Sequence, residues 1–186
     1  MSALGGKRLT LLERQNAFRK FQPELIIRAS HAQKNGINWR PEKPAKIGCC
    51  VLGHDGYGHF DTNSVGWNNT PRRLSDEEKR HFKPCAEKYA VLQCLRRRLI
   101  PIGMLTYSTH NQPDDVTGLE RKVLCCCSNC TLWMQEINTP GDFLIESVRP
   151  ELEGDNPLSE DGFVVERYDL NRLVRMHEEA LNRPTM

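Results

Sequence analysis

The sequence predicts a three-layer α/β domain, a mixed sheet of about five strands flanked by helices. Three observations predict it. Short apolar or β-branched runs bounded by glycine, proline and aspartate recur along the chain. They are interspersed with segments that carry helix-start signals or apolar residues near helical spacing. The chain has 186 residues, 38% hydrophobic and 27% charged, a size and composition that suit one globular domain.

In order, residues 8–31 are rich in helix formers, with Leu12, Phe18, Phe21 and Leu25 near helical spacing. "NGINWRPEKP", with Gly36, Pro41 and Pro44, breaks that pattern. Residues 1–44 are therefore expected to form a helical extension packed on a core domain of residues 45–186. "KIGCCVLG" reads as a buried strand, "HDGYGH" as an Asp-Gly turn, and "FDTNSVGWN" as the antiparallel return. A polar loop follows, with a short helix from Ser75. Pro84 suits the beginning of a helix running to Leu99, with Ala90, Val91, Cys94 and Leu95 facing inward. "IPIGMLTYST" is a third strand, "CSNCTLWMQEI" a short helix closed by "NTPG", and "DFLIESV" and "GFVVERY" two more strands. A terminal helix, "DLNRLVRMHEEALN", takes Asp169 as its cap.

The net charge of +2 gives no electrostatic case for nucleic acid. No apolar run is long enough to span a bilayer, and the N-terminal residues lack the apolar core of a secretory signal. The expected location is the cytoplasm, where eight cysteines are better explained as buried thiols or metal ligands than as disulfides.

Two segments combine into a chemical hypothesis. Cys127 and Cys130 have the spacing that lets two thiolates of a first helical turn grip one ion, and Cys85 begins another helix. Unpaired N–H groups at helix starts favour thiolates. Zinc bound by three protein ligands keeps a position for water. Glu87, two residues beyond Cys85, is placed to move protons to and from that water without being a ligand. Cys/His-x-Glu with a distant Cys-x-x-Cys is the pattern of zinc deaminases. The competing reading is a closed zinc site with Cys125, Cys126 or Cys94 as fourth ligand and Glu87 on the surface. Cys49 and Cys50 read as core thiols, and His54 and His59 as residues of a surface turn.

At these residues the chain resembles the cytidine deaminase superfamily, and within it the small tetrameric-type cytidine deaminases. "IGCCVLGHDG" is similar to the family's first strand and turn, "GWN" to its Gly-x-Asn, "CAEKYAV" to its Cys-Ala-Glu helix, and "DGFVVERYDLNRLV" to its last strand and helix. The resemblance covers residues 45–180 in order. It implies a cytidine-deaminase-like α/β/α fold, Zn2+ on Cys85, Cys127 and Cys130, and Glu87 as proton shuttle. It also implies hydrolytic deamination of a cytosine-type nucleoside, nucleotide or related aminated heterocycle. Asn68 is the leading substrate-binding residue, with Trp67 beside it, and a homo-oligomer is expected. Lys88 stands where family members have an arginine that offsets thiolate charge. The departures concern substrate: Asn68 is followed by Asn69, Thr70 and Pro71, so the family's ribose-binding glutamate is missing. Plain cytidine is therefore expected to be a poor substrate, with Arg72 and Arg73 available to an anionic group. The alternatives are a non-catalytic zinc module for protein association and a deaminase of single-stranded nucleic acid. "RLSDEEKRHFK" is too mixed in sign to favour the latter.

Overall fold

Each of the apolar runs becomes a strand. The structure, a computed structural model of the chain, describes residues 9–39, 46–68, 85–109, 128–151 and 162–182. Strands β1 (Ile47–His54), β2 (Phe60–Trp67), β3 (Ile100–Ser108), β4 (Leu144–Pro150) and β5 (Phe163–Asp169) form one sheet in the order β2-β1-β3-β4-β5. β3 and β4 run parallel and the other neighbours antiparallel, so the sheet is mixed. β1 has a strand on either side and helices on both faces, and every one of its residues is buried. That double burial explains why its sequence is a continuous run of small and apolar residues.

Helix α1 (Leu11–Trp39) lies against β1, β2 and β3 on one face. On the other face lie α2 (Ala86–Arg96), α3 (Ser128–Glu136) and α4 (Leu170–Leu181). The period of two along β1 divides the core accordingly. Cys49 and Val51 pack with Ala90, Met134, Ile145 and Leu173 under the three helices, whereas Cys50 and Leu52 pack with Phe18, Leu25 and Ala29 of α1. Close contact requires glycine at Gly48, where a Cβ would lie 2.0 Å from the Ala29 carbonyl oxygen. No helix among the described residues is long and apolar enough to cross a membrane.

Helix ends follow local chemistry. The Asp169 carboxylate accepts the Arg172 N–H at 2.7 Å and caps α4, as the sequence predicts. Asn138 ends α3 at φ 57, with Thr139 N–H donating to the Met134 carbonyl and Asn138 N–H to that of Gln135. In the turn between β1 and β2, Asp55 Oδ1 accepts from Tyr57 N (2.7 Å) and His59 N (3.1 Å), and Gly56 and Gly58 take positive φ.

Three expectations need correction. α1 does not stop near residue 31 but continues through Gly36 to Trp39. Burial of Ala32, Gln33 and Gly36, with Gln33 Nε2 donating to the Lys46 carbonyl at 2.8 Å, offsets the roughly 1 kcal/mol that a helical glycine costs. α2 ends at Arg96, not Leu99, and Leu95 faces outward at 42% exposure, while Ala90, Val91 and Cys94 are buried. Leu12 is exposed as well. The short helix expected from Ser75 lies outside the described residues, as does Pro84.

Candidate metal centre

Gly66 sets the position of α2. A Cβ there would lie 2.5 Å from the Ala86 carbonyl oxygen and 3.1 Å from Ala90 N, so the first turn of α2 rests directly on the carboxyl end of β2. Cys85 occupies the N-cap in extended conformation (φ −92, ψ 137), and its carbonyl accepts the first helical bond from Tyr89 N–H at 3.2 Å. The Cys85 thiol does not cap the helix. It is half-buried and packs against the core beneath α2, α3 and α4.

Two residues on, Glu87 is only 3% exposed. Its Oε2 lies 3.8 Å from Cys130 Sγ, with the thiol donating. Cys130 is in the first turn of α3 and fully buried. This contact joins the first turns of α2 and α3. The burial of Glu87 removes one part of the closed-site reading, in which this carboxylate was a surface group.

Lys88, next along α2, is 2% exposed. Its Nζ is 3.4 Å from Asn129 Oδ1 and 5.5 Å from the centroid of the Trp133 ring, so it bridges α2 to α3. The floor below is polar where strands usually are not. Along one row of paired residues lie Gly66, Cys49, Thr106 and Ser147. Thr106 Oγ1 donates to Ser147 Oγ at 2.9 Å, and Arg149, on the same face of β4 as Ser147, is buried with Nη1 donating to the Pro150 carbonyl at 3.0 Å. The alternation of Met104, Thr106 and Ser108 with Leu105 and Tyr107 is the sequence signal for this row.

Cys49 is a core thiol. Burial, and after it the nearby Glu87 carboxylate, push it well above the usual thiol range. Cys50 faces α1, donates to the Thr62 carbonyl at 3.1 Å, and is pushed up to about 12 by burial. Cys94, 3.9 Å from the Leu99 carbonyl and also pushed up to about 12 by burial, is two turns along α2 from the helix start. His54 is buried against Phe60 with its Nδ1 accepting from Gly56 N–H, while exposed His59 pairs with Asp55.

The expected substrate residues do not share one surface. Asn68 closes the end of the β1–β2 pair: its Oδ1 accepts Ile47 N–H at 2.7 Å, and its own N–H donates to the Ile47 carbonyl. That leaves its side-chain NH2, not its oxygen, as the group to present to a ligand. Trp67 pairs with Gly48, which faces α1, so the indole belongs to the sheet face opposite Glu87. Cys127, Cys125, Cys126, residues 69–73 and the loop 110–123 lie outside the described residues. Among the described residues, no three His, Cys, Asp or Glu side chains are grouped to hold a metal ion.

No protein-family model, no curated protein and no solved structure matches the chain.

Proposed function

We propose that the protein is a zinc-dependent hydrolytic deaminase with a cytidine-deaminase-like fold, acting on a cytosine-type nucleoside or nucleotide or a related aminated heterocycle. The observation that carries this reading is a carboxylate, Glu87, buried at the start of one helix and 3.8 Å from the Cys130 thiol at the start of another. Fully buried glutamates are rare unless they are paired or bind a metal. Convergent helix N-termini also favour anionic sulfur and oxygen at this place.

The residues suit zinc. Cys85 presents a thiol that is not engaged in capping, Cys130 presents a buried thiol, and Cys127 is one turn from Cys130 in sequence. Lys88 supplies a buried positive charge on the same side. A zinc ion on Cys85, Cys127 and Cys130 would supply the Lewis acidity that lets water act as a nucleophile near neutral pH. Glu87 then has the proton work. It accepts a proton from the attacking water and delivers it to the ring nitrogen next to the amidine carbon. A second transfer protonates the amino group, which leaves as ammonia as the C–N bond breaks and a ring carbonyl forms. The Asn68 NH2 is available to donate to a polar substrate group.

The test is ammonia release by purified, zinc-loaded protein from a panel of cytosine, cytidine, deoxycytidine, their 5′-monophosphates and the adenine equivalents. Zinc-dependent release from at least one compound, lost in Glu87→Gln, is the expected result. Phosphorylated compounds are expected to exceed plain cytidine. Absence of release across the panel with zinc bound would leave the non-catalytic zinc module as the better reading.

A further inference from the structure

One helix cannot cover a five-stranded sheet. Strands about 4.8 Å apart put the outer axes of five roughly 19 Å from one another, against a helix diameter of about 10 Å. α1 lies over β2, β1 and β3, and beside it a cleft of about 630 Å³ opens where the start of β4 meets the end of β5, lined both by α1 and by the first turn of α4. The cleft lies where Leu144 of β4 pairs with Asp169 of β5, at the end of β4 remote from Ser147 and Arg149 and beside α1. It is therefore distinct from the contact between Glu87 and Cys130. Its volume falls in the range of small-molecule sites, roughly 300–1,000 Å³.

Its lining carries three carboxylates and three guanidiniums. Each carboxylate is engaged. Asp142 pairs with Arg14, Glu146 accepts from Gln22 at 2.6 Å and Arg167 at 2.9 Å, and Asp169 caps α4. Two guanidiniums on different walls have no such carboxylate. Arg19 of α1 pairs with no acid among the described residues, and Arg172 of α4 lies over the Tyr168 ring at 5.5 Å from its centroid. Leu11, 44% exposed, and half-buried Leu144 offer apolar surface.

We propose that this cleft binds a small organic anion, its charged group held by Arg19 and Arg172 and its apolar or aromatic body resting on Leu11 and Leu144. A phosphate ester or a carboxylate meets that description, since guanidinium recognises both through paired N–H donors. The site does not depend on the deaminase reading, and it can exist whether or not the protein turns over any substrate.

The test uses calorimetric titration of the full chain with phenyl phosphate, benzoate, inorganic phosphate and benzyl alcohol. Phenyl phosphate or benzoate should bind once per chain at millimolar concentration or below, inorganic phosphate more weakly, and benzyl alcohol not measurably. Arg19→Ala and Arg172→Ala, both at exposed positions, should each weaken binding about tenfold or more with an unchanged circular dichroism spectrum and melting temperature. Binding should also weaken as salt rises. The proposal is overturned if neither aromatic anion binds, if benzyl alcohol binds equally well, or if the double variant binds like the parent. A parent that binds no anion but dimerises through these arginines, read by sedimentation of the double variant, assigns the cleft to a second copy instead.

Discussion

Glu87 and Lys88 carry opposite charges on adjacent residues, and both are buried. Successive helical residues point about 100° apart. Both nevertheless reach α3, Glu87 at Cys130 and Lys88 at Asn129 and Trp133. Taking an ion out of water costs several kcal/mol after relaxation, so both groups need a return from their surroundings. If Glu87 is retained for proton transfer, Glu87→Gln should lower turnover a hundredfold or more while zinc content stays the same and thermal stability holds or rises. A fall in melting temperature with full activity would show a structural carboxylate. If Lys88 offsets thiolate charge, Lys88→Met should weaken zinc about tenfold in chelator competition, and Lys88→Arg should restore it. Equal zinc affinity in Lys88→Met would restrict the residue to bridging two helices. At this scale the sequence was readable in placing Cys85 and Glu87 at one helix start and Cys130 at another. It placed Lys88 at a charge-offsetting position but gave no sign of its burial, because lysine beside a charged residue normally reads as solvated. It also joined Trp67 to Asn68 by adjacency, whereas the period of two in a strand sends Trp67 to the α1 face.

Elements were legible in their existence and less so in their ends. The strands follow from runs bounded by glycine, proline and aspartate, and the caps at Asp169 and Asn138 from side chains with known backbone preferences. The end of α1 was not, because what carries that helix through Gly36 is contact with the start of β1, a tertiary term invisible to local pattern. The end of α2 has a different cause. Arg98 takes φ 59, its N–H donates to the Leu95 carbonyl at 2.9 Å, and Leu99 N–H reaches back to Cys94 at 3.1 Å. This left-handed closure ordinarily takes glycine, and an arginine there is held against steric preference. Arg98→Gly should therefore raise stability by about 1 kcal/mol in urea unfolding, with no change in zinc binding. An unchanged or lower midpoint would mean that side-chain contacts of Arg98 outweigh its backbone strain.

At the scale of the molecule, the sheet brings together what the sequence keeps far apart. Cys85 and Cys130 are separated in the chain by all of β3, yet both helices they begin start over the same region of the sheet. α2 has 11 residues and α3 has 9, both shorter than the roughly 12–15 at which isolated helices become even marginal in water. Their starts must therefore be fixed by tertiary contacts, and a metal ion joining Cys85 to Cys130 would be one of the strongest of these. A ligand that binds only the folded state stabilises it by about 2.7 kcal/mol at one hundred times its dissociation constant. For a chain of this size that corresponds to roughly 5–10 °C in melting temperature. Chelation should lower the melting temperature by that amount, and added zinc should restore it. Amide exchange should quicken selectively in the first turns of α2 and α3 while α1 stays protected, because its core on the other face has no share in the site. Cys85→Ser and Cys130→Ser should each abolish the response to chelator, whereas Glu87→Gln should keep it. A melting temperature indifferent to chelator in the zinc-loaded protein would dissociate the two helix starts from any metal and leave their convergence to packing alone.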